Sequence, residues 1–180
     1  RGLPSTPGEW NRRVWMLAWP IILANMSVPL AGAVDTAVVG HLPETSLIGA
    51  VGLGAVLFSF LYWAFAFLRM ATTGFTARYY GAGDYPELHD TSARAVLLGG
   101  VIGLLLITLQ APIAIAFFSL LEGSAAVEQH AGTYFEYRIW GAPAALINFS
   151  VLGILFGIQR MRAALISQLV LNVTNVTLDL

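Results

Sequence analysis

Two acidic residues have the type and placement to take part in chemistry within an apolar protein. Asp35 and Asp179 each follow directly after a long uncharged segment. Three amides, Gln168, Asn172 and Asn175, precede Asp179 at helical spacing, so a helix would place all four side chains on one face. A carboxylate in a partly dehydrated cavity can exchange a proton, or can hold a sodium ion when amide oxygens complete its coordination. The pattern therefore predicts a cation-coupling site.

Each acid also has a simpler interpretation. Asp35 could be an interfacial residue near a helix end, with its carboxylate among the lipid headgroups beside His41 and Glu44. Asp179 would likewise be interfacial if its helix ended a few residues later. Asn148 and Tyr134 could join a cavity, although a single amide or tyrosine in a membrane helix more commonly forms a packing hydrogen bond. The sequence leaves these alternatives open.

Other kinds of chemistry find no support in the sequence. The chain has no cysteine, and it contains no phosphate-binding loop, zinc-binding helix, nucleophile elbow or dinucleotide fingerprint. No basic run suggests nucleic acid as a partner. We therefore expect a protein that is not an enzyme and has no cofactor, with a proton or a sodium ion as its coupling ion.

The composition indicates that the chain lies in a membrane. Apolar residues make up 57% of it and charged residues only 11%, against about 25% charged residues in a soluble domain. A transmembrane helix needs roughly 20 mostly apolar residues, and the sequence predicts an all-α, polytopic membrane bundle with five such helices. Their approximate ranges are 12–40, 45–80, 85–121, 126–159 and 162–180.

The arginines predict the orientation of these helices. With the N-terminus inside the cell, eight of the nine arginines fall on the cytoplasmic side and only Arg138 falls outside. We expect a multi-pass protein of the inner (plasma) membrane with a cytoplasmic N-terminus. The first and fifth helices then run in the same direction, so Asp35 and Asp179 reach broadly similar depths.

Local signals predict one helix start and several bends. Gly81-Ala82-Gly83 breaks the second helical segment, and Asp84 can cap the next helix with Glu87 three residues later. The charged residues that follow should remain outside the hydrocarbon; they are Glu87, His89, Asp90 and Arg94.

Prolines within the spans should kink or weaken a helical turn; they are Pro20, Pro29, Pro112 and Pro143.

Small residues at four-residue spacing predict close contact between helix backbones. The pairs are Ala50/Gly54, Gly99/Gly103 and Gly153/Gly157.

Several strings of residues resemble the multidrug and toxic compound extrusion (MATE) transporters. They are Trp19-Pro20-Ile21-Ile22-Leu23-Ala24-Asn25 with Val34-Asp35-Thr36-Ala37-Val38-Val39-Gly40-His41-Leu42, then Phe67-Leu68-Arg69-Met70-Ala71-Thr72-Thr73-Gly74, then Leu171-Asn172 and Asn175 to Asp179. The similarity is strongest to the DNA-damage-inducible-protein-F-like branch, and it covers nearly the whole chain.

This resemblance implies an antiporter that exports drugs and other amphipathic organic compounds in exchange for protons or sodium ions. It implies that Asp35, Asn175 and Asp179 couple transport to the cation, and that Pro20 bends the first helix. Members have twelve helices in two six-helix lobes. We therefore expect residues 1–180 to be an incomplete N-terminal lobe whose partners are small organic substrates, membrane lipid and a C-terminal lobe of the same protein.

Two other functions stay open at this point. A flippase for lipid-linked substrates would share the architecture, although it would be expected to line its cavity with several arginines, and the long uncharged segments of the predicted helices contain none. A small membrane assembly subunit would use the two acids for packing instead of transport.

Overall fold

The computed structural model describes residues 6–40, 45–120 and 125–179, and it describes their side chains except at 24, 27–36, 38–40, 45–48, 125–126, 175–176 and 178–179. The described residues are mainly α-helical, with no strand among them. The predicted all-α fold class is confirmed. The helices are α1 (Pro7–Gly40), α2 (Thr45–Ala64), α3 (Ala66–Ala82), α4 (Tyr85–Thr108), α5 (Gln110–Phe118), α6 (Ala125–Arg138), α7 (Ala142–Gly157) and α8 (Met161–Asp179).

Three helical segments of the described chain are long and apolar enough to cross a membrane. They are Gly49–Ala82, Tyr85–Thr108 and Val127–Gly157, and a shorter apolar helix covers Met161–Thr174. The first contains α2 and α3, the second is α4, and the third joins α6 to α7 through a 3₁₀ turn at Ile139–Gly141. These segments agree with a polytopic membrane bundle.

Two of the predicted proline bends coincide with helix interruptions. A proline lacks the backbone N–H and its ring conflicts with the carbonyl four residues earlier. For Pro112 that residue is Thr108, where α4 ends, and for Pro143 it is Ile139, where the 3₁₀ turn begins. The weakened turns expected at Pro112 and Pro143 are therefore confirmed.

The other two prolines do not interrupt their helix. Helix α1 runs from Pro7 to Gly40 through both Pro20 and Pro29. The side chain of Pro20 is fully buried. The bending role of Pro20 therefore stays a prediction.

The second predicted helix is divided at a residue that the sequence did not single out. Phe65 has φ −99° and ψ 8°, and it separates α2 from α3. Its N–H donates to the carbonyl of Tyr62 at 3.1 Å, and the N–H of Leu68 donates to the carbonyl of Phe65 at 3.0 Å. Bonds spanning three residues mark a tightened, 3₁₀-like turn. The predicted helix over 45–80 is therefore interrupted at Phe65, which has no proline or glycine within three residues.

The connection between α3 and α4 forms as predicted. Gly83 follows α3 with φ 74°, a left-handed conformation that glycine adopts without a steric penalty. The carboxylate of Asp84 then accepts a hydrogen bond from the N–H of Glu87 at 3.3 Å, which confirms the predicted cap. The expected exposure of the charged first turns is also confirmed for Glu87, His89, Asp90 and Arg94.

The chain divides into two compact units. The two-helix unit contains α1 up to Asp35 and the chain from Gln159 through α8, and the bundle unit covers 36–158. In the bundle unit, α7 packs against α3 and α4, while α6 packs against α2. Its buried core includes Leu57, Phe58, Phe135, Ile139 and Leu146.

The helices of the bundle unit contact one another at the predicted small residues. A Cβ atom at Gly99 would lie 2.8 Å from the carbonyl oxygen of Leu146, and one at Gly153 would lie 2.8 Å from that of Arg69. Gly103 lies against the backbone of Pro143 in the same way. Because a side chain has no room at these positions, glycine is what allows α7 to contact both α4 and α3.

Candidate cation-coupling site

The predicted polar stripe lies on a continuous helix. Helix α8 includes Gln168, Asn172, Asn175 and Asp179 without interruption, so their spacing places all four on one helical face. Gln168 and Asn172 are half-buried and both make contacts. The side chains of Asn175 and Asp179 lie outside the described residues.

The other acid of the predicted site belongs to α1. The backbone of Asp35 is helical, and it lies five residues before the end of α1 at Gly40. Its side chain also lies outside the described residues. The coupling roles of Asp35, Asn175 and Asp179, including sodium binding, therefore stay predictions.

Helices α1 and α8 meet near the start of α8. The Nη2 atom of Arg13 donates a hydrogen bond to Oε1 of Gln159 at 3.5 Å. Beside this contact is a cavity of about 500 Å³, to which α1 contributes Met16 and Leu17 and the start of α8 contributes Met161. Because Met16 and Leu17 line the same cavity as Met161, these residues lie at the same level along the two helices.

Tyr134 lies in an aromatic cluster of the bundle unit. Its ring packs against Gly54 and meets the ring of Phe58 edge-on, with 6.4 Å between centroids. The guanidinium of Arg138 lies 5.3 Å from the Tyr134 centroid and 5.1 Å from that of Phe58. These are packing contacts, as in the alternative interpretation of Tyr134, and its role in a cavity stays a prediction.

The sequence did not indicate the role of Arg138 in this cluster. The four-residue spacing of Tyr134 and Arg138 on α6 was the available signal, because such residues are neighbours on a helix surface. Phe58 lies 80 residues away, so it could not be paired with Arg138 from spacing. Asn148, the remaining predicted cavity residue, is half-buried on α7 and makes contacts there.

Among the described side chains, no group of three histidine, cysteine or acidic residues is arranged to hold a metal ion.

Comparison with known proteins identifies the family. A family model described as MatE matches residues 20–180. The chain belongs to the MatE family. This confirms the resemblance seen in the sequence, and together with the apolar helices it makes the chain a multi-pass membrane protein of a transporter family.

A curated relative agrees with this assignment. The chain is 42% identical over 169 residues to the DNA damage-inducible protein F of Escherichia coli strain K12. The match covers 94% of this chain and 37% of the relative, so the chain spans little more than a third of the relative's length. No solved structure matches the chain. The family match contains Asp35, Asn175 and Asp179.

Proposed function

We propose that this chain is part of a secondary active antiporter that exports drugs or other amphipathic organic compounds in exchange for protons or sodium ions. Asp35, Asn175 and Asp179 form the coupling site, and Gln168 and Asn172 line the cavity beside it. A transporter built from repeats alternates access by moving one lobe against another, so the working protein includes a second, C-terminal lobe.

One observation carries this proposal: the amides and the acid of α8 occupy one face of an uninterrupted helix. Polar side chains inside a membrane are costly and mark the paths of ions or substrates. The two described amides of this face, Gln168 and Asn172, are half-buried and make contacts. A face of this kind suits a water-filled cavity, where its amides and acid can bind a cation.

The register of α1 and α8 supports a shared site. Leu17 and Met161 line the same cavity, and Asp35 and Asp179 each come 18 residues later. At 1.5 Å per residue both acids lie about 27 Å further along their helices. Because the first and fifth spans run in the same direction, the acids reach the same height.

Two carboxylates at one height give a simple exchange mechanism. A proton or sodium ion that enters from outside neutralises an acid and displaces a cationic substrate, which leaves. Return of the ion to the cytoplasm restores the negative charge and the affinity for the next substrate molecule. When the ion is sodium, the side-chain amide oxygens complete the coordination that the carboxylate begins.

Transport in vesicles tests the proposal. The full-length protein is reconstituted, and efflux of a fluorescent organic cation is measured under an imposed proton gradient or sodium gradient. Asp35→Asn and Asp179→Asn each keep the size of the side chain and remove its charge. We expect each variant to reduce gradient-driven efflux at least about tenfold, as the loss of a required charge would do.

Asp90→Asn is the matched control, because Asp90 is an exposed acid outside the hydrocarbon. It should transport at the rate of the unmodified protein. Unmodified rates in both Asp35→Asn and Asp179→Asn would remove these acids from the mechanism. A gradient that drives no efflux of any organic cation by the unmodified protein would contradict the antiporter itself.

A further inference from the structure

Both charged and apolar side chains line the cavity between the starts of α1 and α8. Arg160 and Arg162 provide two guanidinium groups, and Met16, Leu17 and Met161 provide apolar surface. Its volume, about 500 Å³, is in the range of small-molecule sites. A ligand that fits both kinds of wall carries a negative headgroup joined to an apolar part.

The two arginines that line this cavity are in none of the ion pairs found among the described residues. Arg12 and Arg13 of α1 lie one turn before Met16, and they add two positive charges to those of Arg160 and Arg162. The ion pairs among the described residues join Asp90 to His89 and to Arg94, and both lie on α4. Arg12, Arg160 and Arg162 are exposed, so their charges are available to an anion.

The turn before α8 is held in an unusual conformation. Gln159 has φ 59°, in the left-handed region that residues other than glycine seldom adopt. The side chain of Gln159 accepts the hydrogen bond from Arg13. This contact joins the turn to α1 beside the part of the cavity wall that Arg160 and Arg162 form.

The cavity lies where charge gives way to apolar sequence on both helices. After Arg13, α1 has no ionisable residue until Asp35, and after Arg162, α8 has none until Asp179. Arginine side chains at this boundary lie at the height of lipid headgroups, and the apolar side chains beyond them lie at the height of acyl chains. Trp15 and Trp19, both exposed, suit the same interface.

We propose that this cavity binds an anionic phospholipid of the cytoplasmic leaflet. The phosphate diester contacts the guanidinium groups of Arg160 and Arg162, whose planar donors match phosphate oxygens. The start of one acyl chain lies along Met16, Leu17 and Met161. A basic pocket at a helix junction on this side of a membrane is the arrangement that recognises acidic headgroups. The lipid thereby joins the two helices that carry the predicted coupling acids.

Native mass spectrometry of the full-length protein tests this site. Delipidated protein in mild detergent is titrated with phosphatidylglycerol, with phosphatidylcholine and with inorganic phosphate. We expect phosphatidylglycerol to bind at least about fivefold more tightly than phosphatidylcholine. The double variant Arg160→Gln/Arg162→Gln should lose this preference, because its cavity wall retains no guanidinium group.

Two further variants make the result specific. Arg78→Gln/Arg94→Gln removes the same charge from exposed arginines outside the cavity, and it should keep phosphatidylglycerol binding within about twofold of the unmodified protein. Arg160→Lys/Arg162→Lys keeps the charge and should keep most of the binding. Size-exclusion chromatography checks that each variant is folded and monodisperse.

Three outcomes would overturn the proposal. Equal loss of binding in the two Arg→Gln double variants would mean that lipid responds only to overall charge. Displacement of phosphatidylglycerol by inorganic phosphate would mean that the cavity binds a free anion. Equal binding of phosphatidylglycerol and phosphatidylcholine by the unmodified protein would mean that the arginines make no selective contact.

Discussion

The bundle unit and the two-helix unit are both apolar, but they use their polar residues differently. In the bundle unit the buried hydroxyls of Thr72, Thr76 and Ser150 donate to backbone carbonyls. In the two-helix unit, the half-buried amides of α8 follow one helical face, and arginines line a cavity. Polar residues thus stabilise packing in one unit, and in the other they form the face and the cavity wall to which we assign ligands.

The largest expected effect breaks the packing of the bundle unit. A side chain at Gly103 would overlap the backbone of Pro143, so Gly103→Val should separate α4 from α7 and destabilise the protein by about 1–3 kcal/mol or more. The measurement is the temperature at which purified protein in detergent loses its monodisperse peak. Gly52→Val is the matched control, because a Cβ atom at Gly52 meets no atom within 4 Å. An equal fall of this temperature in both variants would contradict close packing at Gly103.

The next effect concerns the polar face of α8. Asn172→Leu removes one of its amides, and gradient-driven efflux should fall about fivefold while the unfolding temperature changes little. Val170→Leu, at an exposed position of the same helix, should leave efflux unchanged. A large drop in unfolding temperature with unchanged efflux would show that Asn172 serves packing, and the contrast between the units would then fail.

A smaller effect is expected at the start of α4. Asp84→Ala removes the acceptor for the Glu87 N–H and should cost about 1 kcal/mol of stability. Hydrogen exchange should show faster exchange of the first-turn amides of α4, including that of Glu87. Asp84→Asn retains a capping oxygen, so its first-turn amides should exchange at the rate of the unmodified protein. Unchanged protection in Asp84→Ala would contradict the capping role.

The smallest effect concerns a hydrogen bond between helices. The hydroxyl of Ser150 donates to the carbonyl of Ala95 at 2.8 Å, and Ser150→Ala should cost about 0.6 kcal/mol, the average for such bonds in membranes. Thr133→Ala serves as the comparison, because the exposed hydroxyl of Thr133 bonds only within its own helix. If Ser150→Ala lowers the unfolding temperature less than Thr133→Ala does, the bond contributes nothing to packing.

The sequence predicted features that depend on neighbours along the chain. The cap at Asp84 and the turn at Gly83 follow from local backbone chemistry, and the glycine pairs follow from the need of helices to approach closely in lipid. The all-α fold followed from long uncharged runs. Each of these signals lies within one helix or the turn beside it.

Features that depend on distant residues could not be predicted. The break at Phe65 has no proline or glycine beside it, so no local signal marks it. The cluster of Arg138 with Phe58 joins residues from different helices. The cavity beside α8 likewise needs Met16 and Arg162, which lie far apart in the chain. In the candidate site, the spacing of the α8 residues along the chain predicted their polar face. Nothing in the sequence predicted the contacts of Tyr134.

The position of α7 between α3 and α4 has a consequence for synthesis of the protein. The glycines of α4 are made first, and Gly157, which lies against Thr76 of α3, is made 54 residues after Gly103. At about 5–20 residues per second, this interval lasts roughly 3–11 s. Until Gly157 has been made, the complete helix that packs against α3 and α4 is not available to them. An insertion chaperone that shields small-residue helix faces would have this interval in which to act.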